Sequence, residues 1–150
     1  MVPKFSLQNV LDVRHSKVEA IEIELGKLMA LQLTAEQHLN QLCAIHDALM
    51  EELTANMQGE IDLVAIQLIH ANIEQVGELI ELAQVKLAEA TRRVDEKRRI
   101  LIKAKQDEEV LTILKQKRVD TFNTEQNMIE ARQQDDIYIA RAYRNMTQEM

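Results

Sequence analysis

The chain has 150 residues, of which 29% are charged, 46% hydrophobic and 3% aromatic, with three glycines, one proline, no tryptophan and a net charge of −7. So few turn-forming and aromatic residues exclude a compact domain of several packed layers, and the large apolar fraction excludes a disordered polyelectrolyte. We therefore expect long amphipathic helices. Cys43 is the only cysteine, which excludes an internal disulfide. No apolar run has the length of a signal peptide or a membrane span, so we expect a cytoplasmic protein without membrane insertion.

The first helix is expected to run from about residue 6 to residue 57, with Ser6 as its N-cap. Its heptad positions form two interleaved rows, Leu11, Val18, Leu25, Gln32, Leu39, His46 and Leu53, and Arg14, Ile21, Leu28, Ala35, Leu42 and Leu49. A seven-residue repeat of this length predicts a left-handed supercoil with a second helix. We expect Met29, Cys43, Met50 and Met57 to widen the packed stripe on one side toward the turn.

A turn region is expected over about residues 58–71, because Gly59 is the only strong helix breaker after the first helix. Residues 61–69 are apolar on several faces. They could form a short separate helix or the first turns of the second helix, folded across the hairpin tip. An apolar patch exposed there could also bind a partner.

The second helix is expected over about residues 72–146. Its heptad positions are Ile73, Val76, Ile80, Ala83, Leu87, Ala90, Val94, Lys97, Leu101, Ala104, Glu108 and Leu111. Beyond Leu111 the same positions become half polar, namely Lys115, Arg118, Phe122, Glu125, Ile129, Arg132, Asp136, Ile139 and Tyr143. The aliphatic core should therefore end near Leu111, while the helix continues.

Two such helices joined by a short turn predict an all-α fold, a single-domain antiparallel coiled-coil hairpin over residues 1–150. The numbers of opposed residues then add up to a constant. A constant near 122 sets Arg14 against Glu108, whereas a constant near 129 sets it against Lys115, so we favour the first. The N-terminal start of helix one then lies opposite about residue 117. This leaves an extension of about 29 residues, roughly 40 Å long, without a partner within the chain.

All four aromatic residues, Phe5, Phe122, Tyr138 and Tyr143, lie toward the end of the hairpin that carries both termini. Phe5 and Phe122 could pack together to close that end or could bind a partner. Tyr138 and Tyr143 lie beyond the reach of helix one, which favours a role in an interface.

The sequence offers no chemistry that would make the protein an enzyme. His38, Cys43 and His46 are too few donors on one helix to predict a metal site. No glycine-rich phosphate loop and no nucleophile with a nearby base are present, so we expect no cofactor. Residues 86–118 carry 11 basic and 6 acidic side chains. Because no aromatic residue is interleaved for base stacking, we expect no nucleic-acid partner.

Both ends of the chain carry patterns more distinctive than the leucine repeat. The first is Phe5-Ser6-Leu7-Gln8-Asn9-Val10-Leu11-Asp12 followed by Arg14, and the second is Leu114-Lys115-Gln116-Lys117-Arg118 followed by Phe122, Glu125, Glu130, Asp135-Asp136 and Arg141. Together with the total length, these patterns resemble the FliJ family, small coiled-coil proteins of the flagellar type III export apparatus.

The resemblance implies a hairpin similar to the central-stalk gamma subunit of rotary ATP synthases. Its termini end would insert into a hexameric export ATPase, and its other end would face an export-gate protein or escort chaperones. Association with the membrane would be peripheral, through these partners. On this basis we predict that the ATPase is contacted by Phe5, Leu7, Gln8, Phe122, Ile129, Arg132 and Tyr143.

Two other functions remain open on the sequence alone. One is a coiled-coil component of another ATPase-driven machine, such as a pilus or virulence secretion motor. The other is a chaperone-like scaffolding hairpin, resembling prefoldin, that holds clients at its tips. Self-association through the extension is a further alternative.

Overall fold

The computed structural model describes residues 3–148, and within them it has two α-helices and no strand. Helix α1 spans Gln8–Asn56 (49 residues) and helix α2 spans Leu63–Gln148 (86 residues). The two helices pack against each other, which confirms the expected all-α hairpin.

Backbone hydrogen bonds define where α1 begins and ends. At the start, the Gln8 amide donates to the Phe5 carbonyl at 3.1 Å. No capping bond from the Ser6 hydroxyl is found among residues 3–148, so the expected N-cap is replaced by this backbone turn. At the other end, the Met57 amide donates to the Leu53 carbonyl at 3.2 Å. Gly59 follows with φ +80°, a left-handed conformation that glycine adopts without the strain of a side chain.

Helix α2 begins at Leu63, so the expected turn over residues 58–71 is wrong in its second half. The Asp62 carboxylate accepts hydrogen bonds from the amides of Val64 at 3.1 Å and Ala65 at 3.3 Å. This N-cap satisfies two of the free donors of the first helical turn and allows the helix to start directly after the six connecting residues. Residues 63–71 are therefore the first turns of α2, and they do not form a separate short helix.

The predicted heptad rows form the core. Each position in both rows, from Leu11 to Leu53 in α1 and from Ile73 to Leu111 in α2, is buried or half-buried. The most deeply buried side chains are Leu11, Val18, Ile21, Leu42 and Leu53 in α1, and Ile69, Ala83, Val94, Ala104 and Leu111 in α2. No polar side chain is fully buried within the described part of the chain. Where α1 and α2 pack together, the core is thus an apolar seam between the two helices.

The three methionines and the cysteine beside the seam differ from the prediction. Met29, Cys43, Met50 and Met57 are all exposed. They lie one position outside the packed rows, and a pair of helices covers only the rows that face each other. Their predicted packing role is therefore wrong.

The chain divides into two compact units, one of residues 18–103 and the other of residues 1–17 with 104–150. Within the first unit, the Gln32 Nε2 donates to the Thr91 Oγ1 at 3.1 Å. Lys97 Nζ donates to Glu24 Oε2 at 2.7 Å. The residue numbers of these two pairs add up to 123 and 121. This confirms the register near 122 and excludes the one near 129.

In the second unit, the numbers of residues in contact between the start of α1 and the middle of α2 also add up to about 122. Arg14 Nη1 donates to the Asp107 carbonyl at 2.7 Å, and His15 Nδ1 lies 2.7 Å from Glu108 Oε1. Their residue numbers add up to 121 and 123. Arg14 therefore reaches the backbone beside its expected partner, while the Glu108 carboxylate is taken by the neighbouring histidine.

Candidate partner-binding surface

Helix α2 continues well past the residues that α1 covers. The hydrogen bond from Arg118 Nε to the Lys4 carbonyl, at 3.3 Å, is the last one between α2 and the residues at the start of the chain. Phe122 is half-buried, and every residue from Asn123 to Gln148 is exposed. We call residues 123–148 the extension. Its helical hydrogen bonds are satisfied along the chain, but no part of the described chain covers its side chains.

One side of the extension continues the buried seam of the hairpin. The heptad rows run on through Phe122, Glu125, Ile129, Arg132, Asp136, Ile139, Tyr143 and Met146, and we call these eight positions the extension face. Ile129, Ile139, Tyr143 and Met146 are large apolar or aromatic side chains left in solvent. Such a row in phase with a core is typical of a helix that packs against a second helix or a pocket.

The other predicted contact residues lie where α1 begins. Phe5 and Gln8 line a shallow groove, which also has Lys115 of α2 on its wall. Gln8 Nε2 donates to Asp12 Oδ1 at 2.8 Å, and Leu7 is exposed. Phe122 lines a separate groove. All seven predicted residues thus belong to the second unit, in two groups: Phe5, Leu7 and Gln8 at the start of the chain, and Phe122, Ile129, Arg132 and Tyr143 on α2.

A second exposed apolar surface surrounds the connection between the helices. It consists of Met57, Ile61, Leu63, Val64 and Leu68, all exposed, and we call it the tip surface. Five large apolar side chains within twelve residues of sequence are more than scattered surface residues. The sequence had left open whether this segment packs or binds, and the exposure of its side chains favours binding.

A third apolar group was not found from the sequence. Val10 and Val13 in α1, and Val110, Ile113 and Leu114 in α2, are exposed within the second unit. By the register near 122, Val10 lies close to Leu114 across the two helices. Val10 and Leu114 occupy heptad positions that flank the seam, where coiled coils usually carry charge, and this was the missed signal. The other three residues lie on the outer side of their helices.

Part of the basic segment of α2 is paired with acidic side chains. Arg92 and Arg93 bond to Glu96 and Glu89 at 2.8 and 2.9 Å, each one helical turn away. Lys97 bonds across the seam to Glu24, and this bond, followed by the charge of the lysine, lowers the pKa of the Glu24 carboxyl below its ordinary value of 4.5. Glutamates therefore offset the charge of three basic side chains in this segment, which reduces its attraction for an anionic partner.

Among the described residues, no group of three or more histidine, cysteine and acidic side chains is placed to hold a metal ion. Cys43 is exposed, and His46 Nδ1 lies 3.9 Å from Asp47 Oδ1. Neither helix, over the part that the structure describes, has a stretch long and apolar enough to cross a membrane.

The fold and the exposed surfaces define a coiled-coil hairpin protein that presents an uncovered helix end and an apolar tip. Comparison with protein families matches residues 3–147 to the family described as "Flagellar FliJ protein". The chain belongs to this family, which makes it a coiled-coil protein associated with flagellar export. Searches of curated proteins and of solved structures gave no match.

Proposed function

We propose that this protein is a non-enzymatic stalk of the flagellar export apparatus that inserts its extension into the central opening of the hexameric export ATPase. The observation that carries the proposal is the extension face, which has the periodicity of a core but no cover. A single helix is narrow, about 10 to 12 Å across with its side chains, which suits a central opening in a ring. Burying Ile129, Ile139 and Tyr143 there would supply the stabilisation that an isolated helix lacks in water.

The beginning of α1 adds to the same docking end. Phe5 and Gln8 line a groove beside Lys115, and Leu7 is exposed nearby. An amphipathic aromatic at the edge of a shallow groove is a common anchor for a partner loop. We therefore assign Phe5, Leu7 and Gln8 to contacts at the mouth of the ring, and the extension face to contacts deeper in it.

The tip surface would bind the second set of partners. Met57 and its four apolar neighbours would bind an export-gate protein or escort chaperones on the cytoplasmic side of the membrane. Methionine and aliphatic side chains adapt to differently shaped partners, which suits a surface that receives more than one protein. The hairpin would then link ATPase and gate, with any membrane association passing through these partners.

Two tyrosines allow a matched test of the ATPase contact. Tyr143 is on the extension face and 71% exposed, and Tyr138 is 73% exposed but lies outside the face. Because a helix turns 100° per residue, the two side chains point about 140° apart. We expect Tyr143→Ala to weaken binding to the assembled ATPase hexamer by about ten-fold, the loss typical of a buried aromatic anchor, and Tyr138→Ala to change it less than about two-fold.

Affinity should be measured by calorimetry or by fluorescence anisotropy of labelled full-length protein against the hexamer. Circular dichroism of both variants provides the folding control. Equal losses for the two tyrosines would contradict the orientation of the extension. No loss for Tyr143→Ala, together with unchanged affinity of a chain ending at Lys117, would refute insertion of the extension altogether.

A further inference from the structure

The extension face has a property that docking into a ring does not require: its sequence is complementary to itself. When two copies are placed antiparallel so that opposed residue numbers add up to 268, Ile129 faces Ile139 and Arg132 faces Asp136 of the second copy. The same register sets Phe122 against Met146 and Glu125 against Tyr143. Because the pair is two-fold symmetric, each of these contacts occurs twice.

Other arrangements of the same face do not join Arg132 to Asp136. A parallel pair in register sets Arg132 against its own copy and Asp136 against its own copy, and like charges in a coiled-coil seam repel. An antiparallel pair shifted by one heptad, with numbers adding up to 261, sets Glu125 against Asp136. A shift the other way, to 275, buries Asp136 against Ile139 without a counter-charge, which carries a desolvation penalty.

The charges of this face are available for such a pairing. Within residues 3–148, neither Arg132 nor Asp136 makes an ion pair or a hydrogen bond through its side chain, and both are exposed. Arg92 and Arg93, by contrast, each bond to a glutamate one turn away on α2. A single unpaired cation and a single unpaired anion therefore stand at the two central positions of an otherwise largely apolar row.

The pairing also continues the seam of the hairpin without overlap. Contacts from the start of α1 reach Arg118, which bonds to the Lys4 carbonyl. With numbers adding up to 268, Gln148 of the second copy falls opposite Asp120. The helix of the second copy thus begins to cover α2 at the point where α1 stops covering it.

On these grounds we propose that a second copy of this chain covers the extension, in an antiparallel two-fold pair centred near residue 134. The interface goes beyond the proposed stalk function and does not depend on it. It is short, and three of its eight seam positions are charged, so it belongs with weak and reversible associations. Because the pair uses the same face as the proposed ATPase contact, a paired extension is unavailable to a ring, and the pair is a resting form of the free protein.

Charge variants of the full-length chain test the pairing through mixing. Arg132→Asp sets two acidic residues against each other at each central contact, and Asp136→Arg sets two basic residues there. Each variant alone should dissociate at least about ten-fold more readily than the unaltered protein. An equimolar mixture of the two should recover the unaltered dissociation constant to within about three-fold, because both central contacts again join opposite charges.

Arg141→Asp is the matched control, since it changes the net charge as Arg132→Asp does on an exposed side of the helix away from the face. It should leave the dissociation constant unchanged. Sedimentation velocity over about 5 to 500 µM gives the constants. A monomer throughout that range for the unaltered protein overturns the proposal, as does a mixture that dissociates like its components.

Cysteine cross-linking then decides the orientation, in a chain whose Cys43 is replaced by serine. Ile129→Cys and Ile139→Cys face each other only in the antiparallel pair. Oxidation of a mixture of these two variants should give a disulfide-linked dimer, and each variant oxidised alone should give little. A strong self-linked dimer of Ile129→Cys alone would show a parallel pair and overturn the proposed geometry.

Discussion

Val94 is the residue of the seam at which we expect truncation of the side chain to lower the free energy of unfolding most. Its relative exposure is 0%, the lowest among the buried apolar side chains of the described residues, and the register near 122 places Leu28 opposite it. Val94→Ala removes two methyl groups, which at about 0.8 kcal/mol for each buried carbon group corresponds to about 1.6 kcal/mol of lost transfer free energy. The cavity left between two long helices raises the expected loss to about 2 kcal/mol.

The matched control is Val85→Ala, because Val85 lies on the same helix within the same unit but is 66% exposed. We expect it to change the free energy of unfolding by less than about 0.5 kcal/mol. Thermal unfolding followed by circular dichroism at the helical band should show a Tm lower by about 4 to 8 °C for Val94→Ala and an almost unchanged Tm for the control. Equal shifts for the two variants would refute the assignment of Val94 to the seam.

Two further predictions concern the same unit. A disulfide between Leu28→Cys and Val94→Cys should form readily on oxidation in a chain without its native thiol, and one between Leu28→Cys and Leu101→Cys should not; the reverse result on a non-reducing gel would contradict the register. Because Lys97 holds the pKa of Glu24 below 4.5, the ion pair contributes stability above that pH and loses it as the pH falls through the lowered pKa. Glu24→Gln should therefore show a smaller fall in Tm than the unaltered protein between about pH 6 and pH 3, and parallel curves would argue against a contribution of this pair.

The proposed ATPase contact and the proposed pair use the same side chains of the extension. Ile129, Arg132 and Tyr143 cannot contact a ring and a second copy at once, so binding to one partner competes with the other. Addition of ATPase hexamer should dissociate the pair in proportion to the fraction of chains that are bound to the hexamer. If the pair persists on saturated hexamers, the extension face is not the ATPase contact, while the pair itself stands.

Much of the fold followed from local periodicity. The heptad rows from Leu11 to Leu111 predicted which residues are buried, because a seven-residue repeat leaves only one stripe of each helix facing a partner. The register followed from charge, since Arg14 needed an acceptor and the alternative register offered Lys115. The length of α2 beyond α1, and hence the existence of an uncovered extension, followed from these two results by counting.

Only the tertiary structure decided where α2 begins and whether the residues beside the packed stripe are covered. The start of α2 at Leu63 depends on the Asp62 carboxylate reaching two amides, and sequence showed a glycine and an apolar run without showing where the chain would close. Likewise Met29 and Met50 follow the heptad closely enough to look packed, yet they are exposed because only one partner helix is present to cover them. Periodicity specifies the direction in which a side chain points, whereas burial also depends on how many neighbours stand there, and that is set by the assembled structure.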